Sequence, residues 1–168
     1  MPLKDIIGHD RVVRLLKSIV ENDRLSGAYL FLGPEGVGKG TASIEFAKVI
    51  NCENKGIDAC EECVSCRKIK SLNHPDVFII QKGKESRFIK IDRIRYIAYQ
   101  VSLKPYEARK KIFIIIDAED MNEEAQNALL KMLEEPRANQ VFILTSSMIS
   151  GILPTVISRC KVIKFNLL

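Results

Sequence analysis

The sequence predicts an α/β domain, a parallel sheet with helices on both faces. Three observations carry this reading. Five short apolar runs alternate with amphipathic segments along the chain, most of those runs are apolar throughout, and a glycine-rich turn joins the first run to a helix. A length of 168 residues fits one domain, enough to bury about 70% of its unfolded surface. At 46% hydrophobic and 28% charged, the composition excludes intrinsic disorder. The longest apolar runs, such as residues 112–116, are far short of the ~20 residues that span a bilayer. The first five residues, Met1-Pro2-Leu3-Lys4-Asp5, contain no apolar signal core. A cytoplasmic location without a membrane partner is expected. The 26 Lys+Arg against 21 Asp+Glu leave +5, spread without a block of five like charges. The densest basic cluster is Arg109-Lys110-Lys111, so the charge reads as a solvated surface that permits an anionic partner without requiring one.

Taken in order, Val12, Val13, Leu15, Leu16, Ile19 and Val20 repeat at helical spacing and predict a helix over 11–22. The run 28–32 reads as a buried strand ending at Gly33-Pro34, and a helix follows over 39–50. A third helix over 64–72 stops before Pro75. Strand 77–80 and an exposed turn 81–87 come next, then a helix to about 103 with Asp92 as its N-cap. Strand 112–116, a helix over 122–134 stopped by Pro136, and strand 141–144 complete the middle of the chain. A short helix over 153–158 with Pro154 in its first turn precedes a fifth strand over 162–165. The chain stops right after that strand, with no linker, which suggests a portion of something longer.

Gly33-Pro34-Glu35-Gly36-Val37-Gly38-Lys39-Gly40-Thr41 lies between a strand and a helix, the context a phosphate-binding loop requires. Glycines let backbone N–H groups turn inward around phosphate oxygens, the helix N-terminus favours anions, and Lys39 adds a cation for the terminal phosphates. The usual hydroxyl directly after the lysine, a Mg²⁺ ligand, is replaced by Gly40, with Thr41 one residue later. That G-K-G-T spelling resembles nucleoside monophosphate kinases, so ATP with Mg²⁺ remains a candidate ligand with altered metal geometry. Ile112-Phe113-Ile114-Ile115-Ile116-Asp117 has the form of a Walker B strand, carrying Asp117 to its C-terminal edge as a Mg²⁺ ligand. Motor ATPases of this form place a glutamate next to activate water. Here that residue is Ala118, and Glu119 and Asp120 are expected to point elsewhere.

Four of the five cysteines, Cys52, Cys60, Cys63 and Cys66, fall within fifteen residues. In a reducing compartment such clustering points to metal rather than disulfides. Two C-x2-C steps and a longer return loop can present four thiolates to one structural zinc ion. An iron–sulfur cluster and a C-x-x-C redox pair are the competing readings. Cys160 stands alone and reads as packing, and His9 and His74 read as structural or exposed.

These pieces, in this order, resemble the AAA+ clamp-loader subunits of bacterial DNA polymerase III. The likeness rests on the cysteine knuckle after the phosphate-loop helix, on Asn127-Ala128-Leu129-Leu130-Lys131-Met132-Leu133-Glu134-Glu135-Pro136, and on Ser158-Arg159-Cys160, and runs from Ile6-Ile7-Gly8 to Phe165. It implies a P-loop AAA+ RecA-like domain over 1–168 with a five-stranded parallel sheet in the order 5-1-4-3-2 and a zinc knuckle inserted near 52–66. It also implies lid and collar domains outside these residues. Gly40 and Ala118 depart from the tau/gamma motor type and match the delta-prime stator type, leaving tau/gamma as the alternative and a nucleotide kinase as a weaker one. The resemblance implies little or no ATPase activity of its own within the polymerase holoenzyme, a nucleotidyltransferase. Arg159 becomes an arginine finger acting on a neighbour's ATP, and Thr145 or Ser146 a sensor position. The implied partners are delta and tau/gamma subunits in a hetero-oligomer, and through it the sliding clamp and primed DNA.

Overall fold

Three helices cover each face of a five-stranded sheet in the computed structural model, which describes residues 2–3, 6, 8–56 and 58–167. Ile7, within the Ile6-Ile7-Gly8 stretch where the family resemblance begins, lies outside the described residues, as do Met1, Lys4 and Asp5. The strands are β1 (Ala28–Leu32), β2 (Val77–Ile80), β3 (Lys111–Ile115), β4 (Gln140–Ser146) and β5 (Lys161–Lys164). All pairings are parallel and the order is β2-β3-β4-β1-β5, the expected order read from the other edge. The central strands are apolar between their polar ends because both their faces are covered: every residue of β3 and β4 is buried.

The sheet's pleat divides the core in two. Tyr29, Phe31, Ile112, Ile114, Val141 and Ile143 face α1 (Asp10–Glu21), α2 (Lys39–Asn51) and α3 (Val64–Lys70). Leu30, Phe113, Ile115, Phe142 and Leu144 face α4 (Ile91–Val101), α5 (Glu123–Glu134) and α6 (Pro154–Ile157). α2 is the most enclosed helix, with ten buried residues against β1, β3 and β4. Among the described residues no helix is long and apolar enough to cross a membrane.

Local signals set most boundaries. Asn122 caps α5 by accepting from Ala125 N–H at 2.9 Å, and Pro154 opens α6. The expected cap at Asp92 is corrected: the N-cap falls two residues earlier, at Lys90, without a side-chain bond, and Asp92 lies in the first turn. The start is fixed from a distance, because Ile89 bridges to Met121 and donates to Asp120 O at 2.9 Å. β4 also runs two residues past its expected end, since β1 pairs with it as far as Leu32 to Ser146.

Candidate functional site

The C-terminal edges of β1, β3 and β4 frame a cleft of about 470 Å³ lined by Glu35, Gly36, Gly38, Lys39, Gly40, Thr41, Ile116, Asp117 and Thr145. Gly36 and Gly38 have φ of 77° and 97°, and no atom lies within 4 Å of where a Cβ would stand at either. The loop therefore turns backbone toward open space, as a phosphate cradle needs. Gly33 is a glycine for another reason: a Cβ there would collide with the Phe165 carbonyl oxygen that follows β5. At Gly40 a Cβ would meet nothing nearer than Ile116 Cδ1 at 3.8 Å, so space alone would admit a larger side chain.

Lys39 is buried and donates from Nζ to the carbonyls of Gly33 at 2.5 Å and Pro34 at 2.7 Å. Burial lowers its ammonium below the usual lysine range, against the pull of Asp117, Glu119 and Glu35. Asp117 adopts the left-handed conformation at φ 52° just past β3, and its N–H donates to Thr145 Oγ1 at 2.9 Å. Desolvation of its carboxyl raises it above the usual aspartate range, Glu119 and Asp120 add to this, and Lys39 opposes it. Thr145 is thus brought to the cleft and Ser146 is not. The two alternate across β4, and Ser146 is fully buried with its Oγ accepting from Met148 N–H at 3.1 Å. Ala118 is fully buried in the α4–α5 core, on a short 3-10 turn over Ala118–Asp120. Glu119 indeed points elsewhere, accepting from the Ser147 N–H and hydroxyl, both at 2.9 Å.

Two contributors to this cleft were not visible in the sequence as such. Glu35 sits on its rim, and His9, the residue before α1, bonds through Nε2 to the Val37 carbonyl at 2.6 Å. His9 is buried edge-on against Phe165, so it braces the loop from behind. His74 is buried as well, with Nδ1 accepting from Asp76 N–H at 3.0 Å, in line with a structural role.

At the other end of α2 the four thiols of Cys52, Cys60, Cys63 and Cys66 lie within 4.8 Å of one another. Cys52 is the C-cap of α2 and Cys63 the N-cap of α3, so helix ends fix two of the four. Backbone N–H groups already point at sulfur: Cys63 and Glu62 to Cys60 at 3.2 and 3.4 Å, and Cys66 to Cys63 at 3.3 Å. The Cys63 and Glu62 bonds lower the Cys60 thiol to about 6, whereas burial raises Cys52 and Cys66. Four converging sulfurs with N–H donors aimed at them fit one tetrahedral metal ion. Cys160 stays apart, with burial pushing its thiol up to about 12.

Arg159 lies just before β5, at the opposite end of the sheet from the cleft, because β5 runs parallel to β1. It is exposed, paired with Glu134 at 3.2 Å and donating to Thr155 O at 3.0 Å. It has no route to its own chain's cleft.

A phosphate loop, a parallel 2-3-4-1-5 sheet and a four-cysteine knuckle after the loop helix define a P-loop domain of AAA+ type. The model of the family described as DNA polymerase III, delta subunit, matches residues 8–168, and the chain belongs to that family. It is 40% identical over 156 residues to DNA polymerase III subunit delta' of Bacillus subtilis, covering 93% of this chain and 47% of that protein. It is 36% identical over 164 residues to the tau subunit of the same organism, covering 97% of this chain and 29% of that one. The chain therefore spans about half the length, or less, of these relatives. Among solved structures, a DNA polymerase III gamma subunit-related protein of Thermotoga maritima superposes with a TM-score of 0.67 at 25% identity, covering 95% of this chain and 47% of the other. A RuvB variant from the same organism, at TM-score 0.61 and 16% identity over 98% of this chain and 47% of its own, shares the fold alone.

Proposed function

We propose that this chain is a delta-prime-type subunit of the DNA polymerase III clamp loader, acting mainly as a stator that lends Arg159 to a neighbouring motor subunit. The observation that carries this is the division of labour between the two ends of the sheet. The cleft keeps its glycines, Lys39, Thr41 and Asp117, but the residue after Asp117 is an alanine facing the core. A base for activating water is absent from that position, so hydrolysis by this chain is weak or absent. Arg159 needs no local base: a guanidinium presented across an interface stabilises charge on a transferring phosphoryl group. Its partner Glu134 is an exposed surface carboxylate whose release costs little.

In this reading Gly33, Gly36, Gly38, Lys39, Gly40, Thr41 and Thr145 hold the nucleotide, with Asp117 toward Mg²⁺. Mg²⁺ would neutralise phosphate charge. Cys52, Cys60, Cys63 and Cys66 hold zinc, which closes the knuckle and does no chemistry. The remaining clamp-loader subunits are the partners, the sliding clamp and primed DNA being reached through them, and lid and collar domains complete the subunit.

The test is Arg159→Ala in the full-length subunit, reassembled with motor subunits, clamp and primed DNA. Assembly is expected to survive while ATP turnover at the adjoining site falls, by up to about 10³-fold. Wild-type turnover in a normally formed complex would return Arg159 to a surface residue. Strong ATPase activity of the isolated subunit would favour the tau/gamma reading.

A further inference from the structure

Lys48 is the most anomalous side chain in α2. It stands in sequence between the buried pairs Phe46-Ala47 and Val49-Ile50 and has no solvent exposure. Removing an ammonium from water is costly unless the charge is matched, and an apolar residue of the same length would fill this position without that cost. The charge is matched by Glu45, one turn back at 2.9 Å, and by Glu61. Glu61 lies inside the cysteine loop, between Cys60 and Cys63, and it is one of the few non-glycine residues with a positive φ, 66°. A glutamate held there is strained. The strained turn has a product: it brings the N–H groups of Glu62 and Cys63 onto the Cys60 sulfur, at 3.4 and 3.2 Å.

We infer that Lys48 is a positioning residue for the four-cysteine metal site: its buried ammonium holds the Glu61 carboxylate and so fixes the left-handed turn that aims the Glu62 and Cys63 N–H groups at Cys60. The inference rests on reading these thiols as a metal site. It explains the strain at Glu61 and the buried lysine together, since each is costly alone. It also ties the metal loop to the same helix whose first residue is Lys39.

The experiment uses the whole chain loaded with zinc, and separately with cobalt, as wild type, Lys48→Met and Glu61→Gln. Zinc is competed away with a chromogenic chelator. Cobalt reports ligand geometry through its thiolate charge-transfer and d–d bands. Both variants are expected to lose about tenfold or more in metal affinity and to shift the cobalt bands. The thermal midpoint of the metal-stripped protein should move less than that of the loaded protein. Affinities within about twofold of wild type with an unchanged cobalt spectrum would overturn the inference and leave the metal reading standing. Equal loss of midpoint in stripped and loaded protein would overturn it too, by making Lys48 a general packing residue. If wild type takes up neither ion, the metal reading itself fails. Should Lys48→Met not fold, Glu61→Gln decides alone, because it keeps the shape and removes the charge.

Discussion

The two ends of α2 are built in opposite ways. Its N-terminal end is assembled from nine consecutive residues, 33–41, plus Ile116 and Asp117 just past β3 and Thr145 near the end of β4. Its polar groups are satisfied by the loop's own carbonyls, with Lys39 on Gly33 and Pro34, and the cleft is left open. Its C-terminal end joins a fifteen-residue cysteine segment to pieces distant in the chain. Cys52 closes the helix, Cys60, Cys63 and Cys66 return to it, and Arg109 grips the carbonyls of Ile50 and Cys52 at 2.9 and 3.0 Å. The loop holding Arg109 is itself fixed by Asp76, whose carboxylate accepts from the N–H groups of Tyr106, Glu107 and Ala108 at 2.7–2.8 Å. An open site for a ligand keeps its polarity local, whereas a closed structural site draws on long-range contacts. Damage at the second end should therefore cost stability, and damage at the first should cost binding.

The largest expected effect tests the closed end. If the four thiols hold zinc as proposed, stripping it with a chelator, or changing Cys66 to Ser, should lower the thermal midpoint by about 10 °C or more, because the binding free energy of a structural ion is folding free energy. Elemental analysis should give one zinc per chain beforehand, and a stripped protein that melts like the loaded one would break the contrast.

The next effect is an exception at the open end. Ala118→Glu would place a carboxylate among Ile89, Met121 and Ala125. A loss of about 3 kcal/mol or more in chemical denaturation is expected, without new ATPase activity. Vigorous hydrolysis by this variant would show that position 118 can turn toward the cleft.

Asp76→Asn should follow, at about 2 kcal/mol, since three backbone donors lose their charged acceptor. Burial opposes ionisation of Asp76, but these N–H bonds outweigh it and hold the carboxyl below its usual range. The folded value lies below the unfolded one, so this stability is fully present above about pH 4 and fades as pH falls through the folded value. The variant should show a shallower decline of stability in that acid window. Parallel curves for both proteins would mean that Asp76 is not the group responsible.

Lys39→Met should have the smallest effect on folding. The lowered lysine value means that the fold disfavours its charge, a handicap that is relieved at high pH and grows as pH falls through the folded value. The thermal midpoint without nucleotide is expected to hold or rise slightly, while any calorimetric ATP binding by the wild type disappears in the variant. Equal binding by both proteins would show that the loop is not the nucleotide site.

The cleft was legible in the sequence because its parts are contiguous: a strand, three glycines and a lysine in one stretch. The convergence of the four cysteines was legible for the same reason. Less legible was anything carried by a single residue acting at a distance. Lys48 reads as one polar position in a helix, and only the fold shows that it has no solvent and faces Glu61. His9 carries no mark of its 2.6 Å bond to the phosphate loop. The choice between Thr145 and Ser146 needed the strand's phase, since two adjacent hydroxyls look alike until alternate faces of β4 are assigned.

By itself, then, the sequence determined the alternation of strands and helices, the phosphate loop and the cysteine knuckle, all of which are encoded by local periodicity and spacing. The tertiary structure decided where α4 begins, which hydroxyl meets Asp117, that Ala118 faces the core, and that Arg159 stands at the far end of the sheet from its own cleft. The physical reason is the same in each case. Such features depend on which residues distant in the chain become neighbours, and a sheet that pairs β1 with β4 and β5 sets those neighbours only when all its layers are packed.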